Sequence, residues 1–161
     1  MKERVSITAI ANCDFNAAVR EGVELAGGLS ELIKGHTKVV VKPNLARMAL
    51  SGSGAITDAR VTEAVTRLVL DYGPASVVIA EGTAVGYDDG SLSTEQVFDM
   101  SGTRSVALKL GVPCINLNCD VPVALEVPEP RAMDRLLVAR TIVEADVVIS
   151  VPVLKTHNRT N

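Results

Sequence analysis

With 161 residues, the chain is long enough to form one domain with a hydrophobic core. Hydrophobic residues make up 47% and charged residues 22%, which excludes a disordered chain. A net charge of −3, dispersed basic residues and only 2% aromatic residues argue against a nucleic-acid-binding protein. The apolar runs fall well short of the ~20 residues of a membrane helix, and the start of the sequence lacks a signal-peptide core. We therefore expect a cytoplasmic protein with neither a membrane nor a nucleic-acid partner.

The first part of the chain predicts a strand, a helix and a second strand. Residues 4–11 alternate apolar and polar side chains, as a half-buried strand does. Asp14 can cap a helix with an apolar stripe that ends at Gly27. Residues 38–41 form a short β-branched run, typical of a buried parallel strand, and Pro43 ends it because proline lacks a backbone donor.

The loop after this strand has features of an anion-binding loop. It contains Asn44 and Arg47, then a serine- and glycine-rich stretch at residues 51–54. Thr57 or Asp58 can cap the helix that follows. A strand, a glycine loop, a helix start and basic side chains together form a plausible seat for an anion. The loop is not a Walker loop, because the Gly-Lys-Ser/Thr triplet is absent.

The rest of the chain continues to alternate strands and helices. Strands are predicted at residues 76–80, 113–117 and 147–151, with helices starting at Ser93 or Thr94, at Thr103 and at Thr141. Pro122, Pro128 and Pro130 lie in or next to residues 121–127. This predicts an edge strand or a hairpin arm, with which residues 135–140 can pair. The whole pattern predicts one α/β domain over residues 1–161. Its expected fold is a three-layer, mostly parallel, Rossmann-like sheet with helices on both faces.

Polar residues follow three of the predicted strands at their carboxyl ends, where ligands of open α/β sheets bind. We take seven of these residues as candidates for one site: Lys42, Asn44, Glu81, Thr83, Lys155, Thr156 and His157. Asn116, Asn118 and Asp120 lie at or after the end of the strand predicted at residues 113–117.

The candidate catalytic residues are His157, Lys155 and Glu81. Lys155 and His157 are two residues apart, so on a continuing strand they would face the same way. With Glu81 they could serve as an acid–base pair, an anion clamp or a set of metal ligands. The alternative is an exposed tail of ordinary polar residues.

The candidate ligand-binding residues are Lys42, Asn44, Thr83 and Thr156. Lys42 and Asn44 would orient an anion, and the two threonines would supply hydroxyl donors. For Lys42 and Asn44 a structural role fits equally well. The aliphatic part of a lysine can lie along a buried strand while its ammonium group stays in solvent, and a Pro-Asn pair favours a turn.

The three cysteines, Cys13, Cys114 and Cys119, do not form a metal-binding pattern. Their odd number argues against a disulfide framework, and the spacing of Cys114 and Cys119 matches neither a zinc site nor an iron–sulfur run. We expect free thiols and no metal ligands among them. Cys13 precedes a predicted helix, whose N-terminus would make its thiol more reactive.

Four motifs in order resemble the family called domain of unknown function 362: Lys42-Pro43-Asn44-Leu45, Glu81-Gly82-Thr83, Ser101-Gly102-Thr103 and Pro152-Val153-Leu154-Lys155-Thr156-His157. Members of that family often carry a ferredoxin-like iron–sulfur segment further along the chain, and the family leans towards redox functions without a settled activity. Its pattern continues past Lys-Thr-His, so the resemblance implies that this chain is the N-terminal half of the family domain. A weaker, fold-level similarity is to the amino-terminal domain of nickel-dependent lactate racemase.

Two functions are consistent with these observations. The first is an α/β domain that binds a small anionic ligand or cofactor at its strand ends, as part of a metal- or iron–sulfur-linked redox enzyme. No iron–sulfur cysteine run is present in the sequence, so the resemblance assigns no cofactor to these residues and the cofactor stays unknown. The second is a non-catalytic interaction module, with a second copy of the chain or a ferredoxin-like segment as its partner.

Overall fold

The computed structural model describes residues 4–83 and 93–156. The helices are α1 (Phe15–Ala26), α2 (Ala59–Asp71), α3 (Thr94–Ser101), α4 (Thr103–Leu110) and α5 (Arg140–Val143). The strands are β1 (Lys38–Pro43), β2 (Ser76–Glu81), β3 (Cys114–Asn116), β4 (Pro122–Glu126), β5 (Arg135–Ala139) and β6 (Val147–Val151). Short 3-10 turns lie at Ala11–Cys13 and Leu117–Cys119. Within these two ranges, no helix has the length and hydropathy to cross a membrane.

Four strands form a parallel sheet in the order β3-β2-β1-β6. Strand β1 is central, with Val39 opposite Val77 of β2 and Val147 of β6. Strand β3 joins the far side of β2, with Ile79 opposite Cys114. The carboxyl ends of β2, β1 and β6 therefore lie side by side at one edge of the sheet.

Helices pack around this sheet, which confirms the predicted three-layer α/β fold. On one face, α2 packs against β1 and β2, and α4 packs against β3. Buried aliphatic residues from alternate strand positions fill this layer, among them Val39, Val41, Val77, Ile79 and Val151. On the other face, Val40 and Val78 line a cavity together with Thr141 and Ala145 from the region of α5.

The segment with these prolines, residues 121–127, forms the predicted hairpin with residues 135–139. Strands β4 and β5 pair antiparallel, with Val123 opposite Val138 and Leu125 opposite Leu136. A backbone hydrogen bond of 2.9 Å from Val127 N to Asp134 O continues the pairing towards the turn. The hairpin forms a separate two-stranded sheet beside the parallel one.

The strand predicted at residues 4–11 is wrong, because residues 4–10 pair with no strand in the described parts of the chain. Their polar side chains bind helix α1 instead: Ser6 Oγ donates to Gly22 O at 2.6 Å, and Thr8 Oγ1 donates to Ala18 O at 2.9 Å. Val5 and Ile7 then point away from the helix and are 88% and 94% exposed. The alternating pattern is real, but its polar side faces the protein.

Side-chain caps start three of the helices where the sequence places them. Asp14 accepts a hydrogen bond from Ala17 N of α1, and Ser93 forms a capping box with Gln96 at α3. Helix α4 begins at Thr103 as predicted, but Gly102 precedes it and no side chain caps it. Asp58 caps α2.

Asp58 holds the start of α2 through several bonds. Its carboxylate accepts hydrogen bonds from Arg60 N at 2.9 Å, from Arg60 Nη2 at 2.7 Å and from Ser51 Oγ at 2.9 Å. The hydrogen bond from the Arg60 side chain is the main reason why the pKa of Asp58 falls from 3.8 to about 2.

We expect Asp58→Ala to lower the free energy of unfolding by about 1–2 kcal/mol at neutral pH, since the helix loses its cap. The pKa of Asp58 is lower in the folded than in the unfolded protein, so its charge stabilises the fold above pH 4 and that contribution fades as the pH falls towards 2. Urea unfolding at steps from pH 7 to pH 2.5 measures this. Asp58→Asn is the matched control, because it keeps a capping oxygen but has no titrating charge. A gap between wild type and Asp58→Asn that stays constant with pH would contradict the assignment.

Candidate functional site

An ion pair bridges the carboxyl ends of β1 and β2. Lys42, near the end of β1, donates from Nζ to Glu81 Oε2 at 2.8 Å. Glu81 ends β2 and is 6% exposed, whereas the side chain of Lys42 is 37% exposed. The other carboxylate oxygen of Glu81 accepts a hydrogen bond from Gly82 N at 2.8 Å. A carboxylate this buried is stable only when paired, and both of its oxygens are paired here.

Asn118, a residue that the sequence does not place in the site, braces the start of the loop after β2 at Gly82 and Thr83. Asn118 Nδ2 donates to Thr83 O at 2.8 Å and to Thr94 Oγ1 at 3.2 Å. The hydroxyls of Thr83 and Thr94 lie 3.0 Å apart, and both residues are buried. The hydroxyl of Thr83 thus takes part in the bracing of this loop. The only signal in the sequence for Asn118 is its position after a strand of the same sheet.

Asn44 ties β1 to β6 and to the start of α2 through its backbone. Asn44 N donates to Thr57 Oγ1 at 2.8 Å, and Thr57 Oγ1 donates to Val151 O at 2.6 Å. The side-chain oxygen of Asn44 is buried and has no hydrogen-bond partner among the described residues. A buried acceptor of this kind favours a donor from outside those residues, such as a ligand or a water molecule.

Lys155 and Thr156 follow β6 on an exposed segment without regular structure. Lys155 Nζ donates to Ala55 O at 2.9 Å, which places the ammonium group over the loop that follows β1. His157 lies outside the described residues, so its expected position beside Lys155 stays a prediction.

The structure brings the three predicted strand ends together, because β2, β1 and β6 are neighbours. Lys42 and Glu81 are in direct contact, and Asn44 connects their strand to β6. Lys155 binds the adjacent loop rather than Glu81. The edge therefore contains two joined parts, an ion pair at β1–β2 and a cation above the β1–α2 loop.

The family model described as Domain of unknown function (DUF362) matches residues 39–161. The chain belongs to this family. The matched residues of the DUF362 domain include every candidate site residue and, except for Lys38, all four strands of the parallel sheet.

The DUF362 domain is also similar to the thylakoid-associated protein sll1697 of Synechocystis sp. (strain ATCC 27184 / PCC 6803 / Kazusa). The two are 26% identical over 141 residues, which cover 88% of this chain and 40% of the relative. The chain thus spans about two fifths of the length of that relative. No solved structure matches the chain.

The anion seat predicted at the start of α2 is already filled by the protein itself. Ala59 N donates to Ser51 Oγ at 2.8 Å, and Arg60 N donates to Asp58 Oδ1 at 2.9 Å. The next amide, Val61 N, donates to Asp58 O. Because these donors are taken, an external anion finds no free amide in the first turn.

The cysteines lie apart from the ion pair of Lys42 and Glu81. Cys13 and Cys119 are exposed, and burial raises the pKa of the Cys114 thiol to about 11. Asp14, not Cys13, occupies the capping position of α1, so the helix N-terminus acts on a carboxylate instead of the thiol. In the described ranges, no three His, Cys, Asp or Glu residues are grouped closely enough to hold a metal ion.

Proposed function

We propose that this DUF362 domain binds a small anionic ligand or cofactor at the carboxyl edge of β2, β1 and β6. The observation that carries the proposal is the ion pair of Lys42 with the buried Glu81, which spans two adjacent strand ends. Ligands of open α/β sheets bind at this edge, where the loops diverge.

The charges at this edge favour an anion. Lys42, Arg47 and Lys155 are cationic and at least partly exposed, while Glu81 is a buried carboxylate. One N–H of the Lys42 ammonium points to Glu81, which leaves two donors for a ligand. Glu81 is fixed by Gly82 N and in turn fixes the lysine. In this proposal Lys42 binds the anion and Glu81 orients Lys42.

The other candidate residues have supporting parts in the proposal. The buried oxygen of Asn44 accepts a hydrogen bond from a donor group of the ligand, and Thr83 holds the loop that carries Gly82. Lys155 and Thr156 contact the ligand from the segment after β6, and His157 supplies an acid–base group. We also propose that the domain is one part of a metal- or iron–sulfur-linked redox enzyme, a class that only the family resemblance supports.

Only the sequence supports a cellular compartment for this domain. We propose the cytoplasm as the compartment, whereas the name of the cyanobacterial relative connects that protein with thylakoids. Binding of a small anion at the sheet edge requires no membrane contact from this chain.

A non-catalytic interaction module is the second candidate function. The high exposure of Val5 and Ile7 favours it, because alternating apolar residues on an unpaired extended segment suit contact with another chain. This function requires self-association or a protein partner. A protein that sediments as a monomer and binds a small anion at Lys42 would count against it.

We expect inorganic phosphate to bind with a dissociation constant on the order of 1 mM, the affinity of a small site with few ionic contacts. Lys42→Gln should weaken this binding about tenfold, since the ligand loses its charged donor. Isothermal titration calorimetry at constant ionic strength measures both values, with circular dichroism to check that the variant is folded.

Lys38→Gln is the matched control, because Lys38 lies at the opposite end of the same strand and is exposed. It should bind phosphate like the wild type. Equal affinities of wild type and Lys42→Gln, or no saturable phosphate binding by the wild type, would overturn the proposal.

A further inference from the structure

A cavity of about 390 Å³ opens beside the proposed anion site. Its walls come from five parts of the chain: the segment before α1, the start of α1, the glycine loop, the start of α2 and the segment after β6. Phe15, Arg60, Ile56 and Pro152 are among the lining residues. Its volume lies within the range of about 300–1,000 Å³ that small-molecule sites occupy.

Phe15 and Arg60 both line this cavity, and the guanidinium group of Arg60 is stacked over the Phe15 ring. The guanidinium carbon of Arg60 lies 4.4 Å from the centre of the Phe15 ring. Two further bonds fix the guanidinium, from Nε to Asp58 Oδ1 at 3.0 Å and from Nη2 to Asp58 Oδ2 at 2.7 Å. A guanidinium held in one plane beside an aromatic ring is a good surface for another planar group.

The charge at the edge of the cavity comes from Lys155. Arg60 and Asp58 neutralise each other, whereas Lys155 Nζ binds only a carbonyl oxygen, that of Ala55, in the contacts of the described chain. Ala55 lies between Gly54 and Ile56, which both line the cavity. A cation therefore stands next to a cavity with aromatic, aliphatic and planar cationic walls.

One residue also connects the wall of the cavity to the loop after Lys42. Thr57 lines the cavity, and its hydroxyl accepts the hydrogen bond from Asn44 N. A ligand in the cavity thus lies beside the loop that joins β1 to α2. Since the first-turn amides of α2 are already bonded, the helix N-terminus itself contributes no binding group.

We propose that this cavity binds the planar aromatic part of an anionic ligand, with the ring against Phe15 and Arg60 and the acidic group at Lys155. This goes beyond the proposed function, with which it shares the role of Lys155 in contacting a ligand, and it names the ligand class of the cavity as an aromatic carboxylate or phosphate.

Three probes of similar size separate the parts of this proposal: 2-naphthoate, its saturated analogue decahydro-2-naphthoate, and the neutral 2-naphthalenemethanol. We expect 2-naphthoate to bind about fivefold more tightly than either analogue, since each analogue loses one contact of modest strength. Titration calorimetry on the full chain gives the three affinities.

Variants test separately the contact of the ring with Phe15 and Arg60 and the contact of the acidic group with Lys155. Phe15→Leu and Arg60→Lys should each remove the preference for the planar over the saturated carboxylate. Lys155→Gln should instead remove the preference for 2-naphthoate over the neutral alcohol. Phe15→Leu leaves the Asp58–Arg60 pair in place, so it tests the wall even if Arg60→Lys folds poorly. Lys38→Gln is the surface control.

Equal binding of the planar and saturated carboxylates by the wild type would overturn this inference, as would a planar preference that survives Phe15→Leu. The two proposals fail separately. Phosphate binding that depends on Lys42, without a planar preference, refutes only the aromatic cavity. A planar preference without phosphate binding refutes the Lys42 site instead.

Discussion

Lys42→Met is expected to lower the free energy of unfolding by about 2 kcal/mol. The substitution removes the ammonium group and leaves the Glu81 carboxylate buried, with Gly82 N as its remaining partner at 2.8 Å. Breaking a fully buried ion pair in this way costs about 3–5 kcal/mol. We expect a smaller loss because Lys42 is partly exposed, so water reaches the pair and weakens it.

A double-mutant cycle separates the ion pair from other effects of the change. Glu81→Gln removes the buried charge but keeps an oxygen that can accept from Gly82 N. Added to Lys42→Met, it should restore stability, with a coupling energy of about 1 kcal/mol or more. Lys38→Met at the other end of β1 should change stability by less than about 0.5 kcal/mol. Urea unfolding of the wild type, Lys42→Met, Glu81→Gln, the double variant and Lys38→Met gives these free energies. A loss in Lys42→Met no larger than in Lys38→Met would contradict the account.

Gly82→Ala is expected to lower the free energy of unfolding by about 2 kcal/mol through steric overlap. A Cβ atom at Gly82 would lie 2.5 Å from Asn118 Oδ1 and 3.0 Å from Asn118 Cγ. Asn118 cannot easily move away, because its Nδ2 is bonded to Thr83 O and Thr94 Oγ1. We also expect weaker phosphate binding, because a shift of Gly82 N releases Glu81 and hence Lys42.

Gly35→Ala is the matched control for this prediction. The nearest atom to a Cβ at Gly35 is Gly73 O at 3.9 Å, an ordinary contact, so stability should change by less than about 0.5 kcal/mol. In the background of Asn118→Ala, Gly82→Ala should cost less than it does alone, since the overlapping atoms are gone. Chemical unfolding of these variants provides the comparison. If Gly82→Ala were as mild as Gly35→Ala, the close approach of Asn118 would not be real.

The central strands were predictable because their sequences are short β-branched runs between helices. β1 and β2 are built mainly from Val and Ile, most of them buried, whereas in β6 only Val151 is buried and Val148 is exposed. Residues 4–11 carry an equally clear alternation, yet they form no strand. A period of two shows that one side of a segment is polar, but not whether that side faces solvent or, as with Ser6 and Thr8, the carbonyls of a helix.

The site was predictable in its members but not in its contacts. Lys42 and Glu81 each follow an apolar run, so their place at the sheet edge follows from the sequence, whereas their pairing depends on the strand order. Asn118 reaches Thr83 across 35 positions, a contact that no local pattern encodes. Asp58 was predictable as a candidate cap of α2, whereas nothing in the glycine loop predicts the hydrogen bond from Ala59 N to Ser51 Oγ.

The most direct test of the proposed anion site is a phosphate titration followed by ¹H–¹⁵N correlation spectra at constant ionic strength. Binding at Lys42 predicts saturable shifts of the amides of Asn44, Gly82 and Thr83, which lie on or next to the ion pair, and smaller shifts in Lys42→Gln. Amides at the far end of β1, such as that of Lys38, should not change. If the amides around Lys42 and Glu81 stayed unchanged while phosphate bound elsewhere, or if no amide shifted with saturation, the proposed anion site would be wrong.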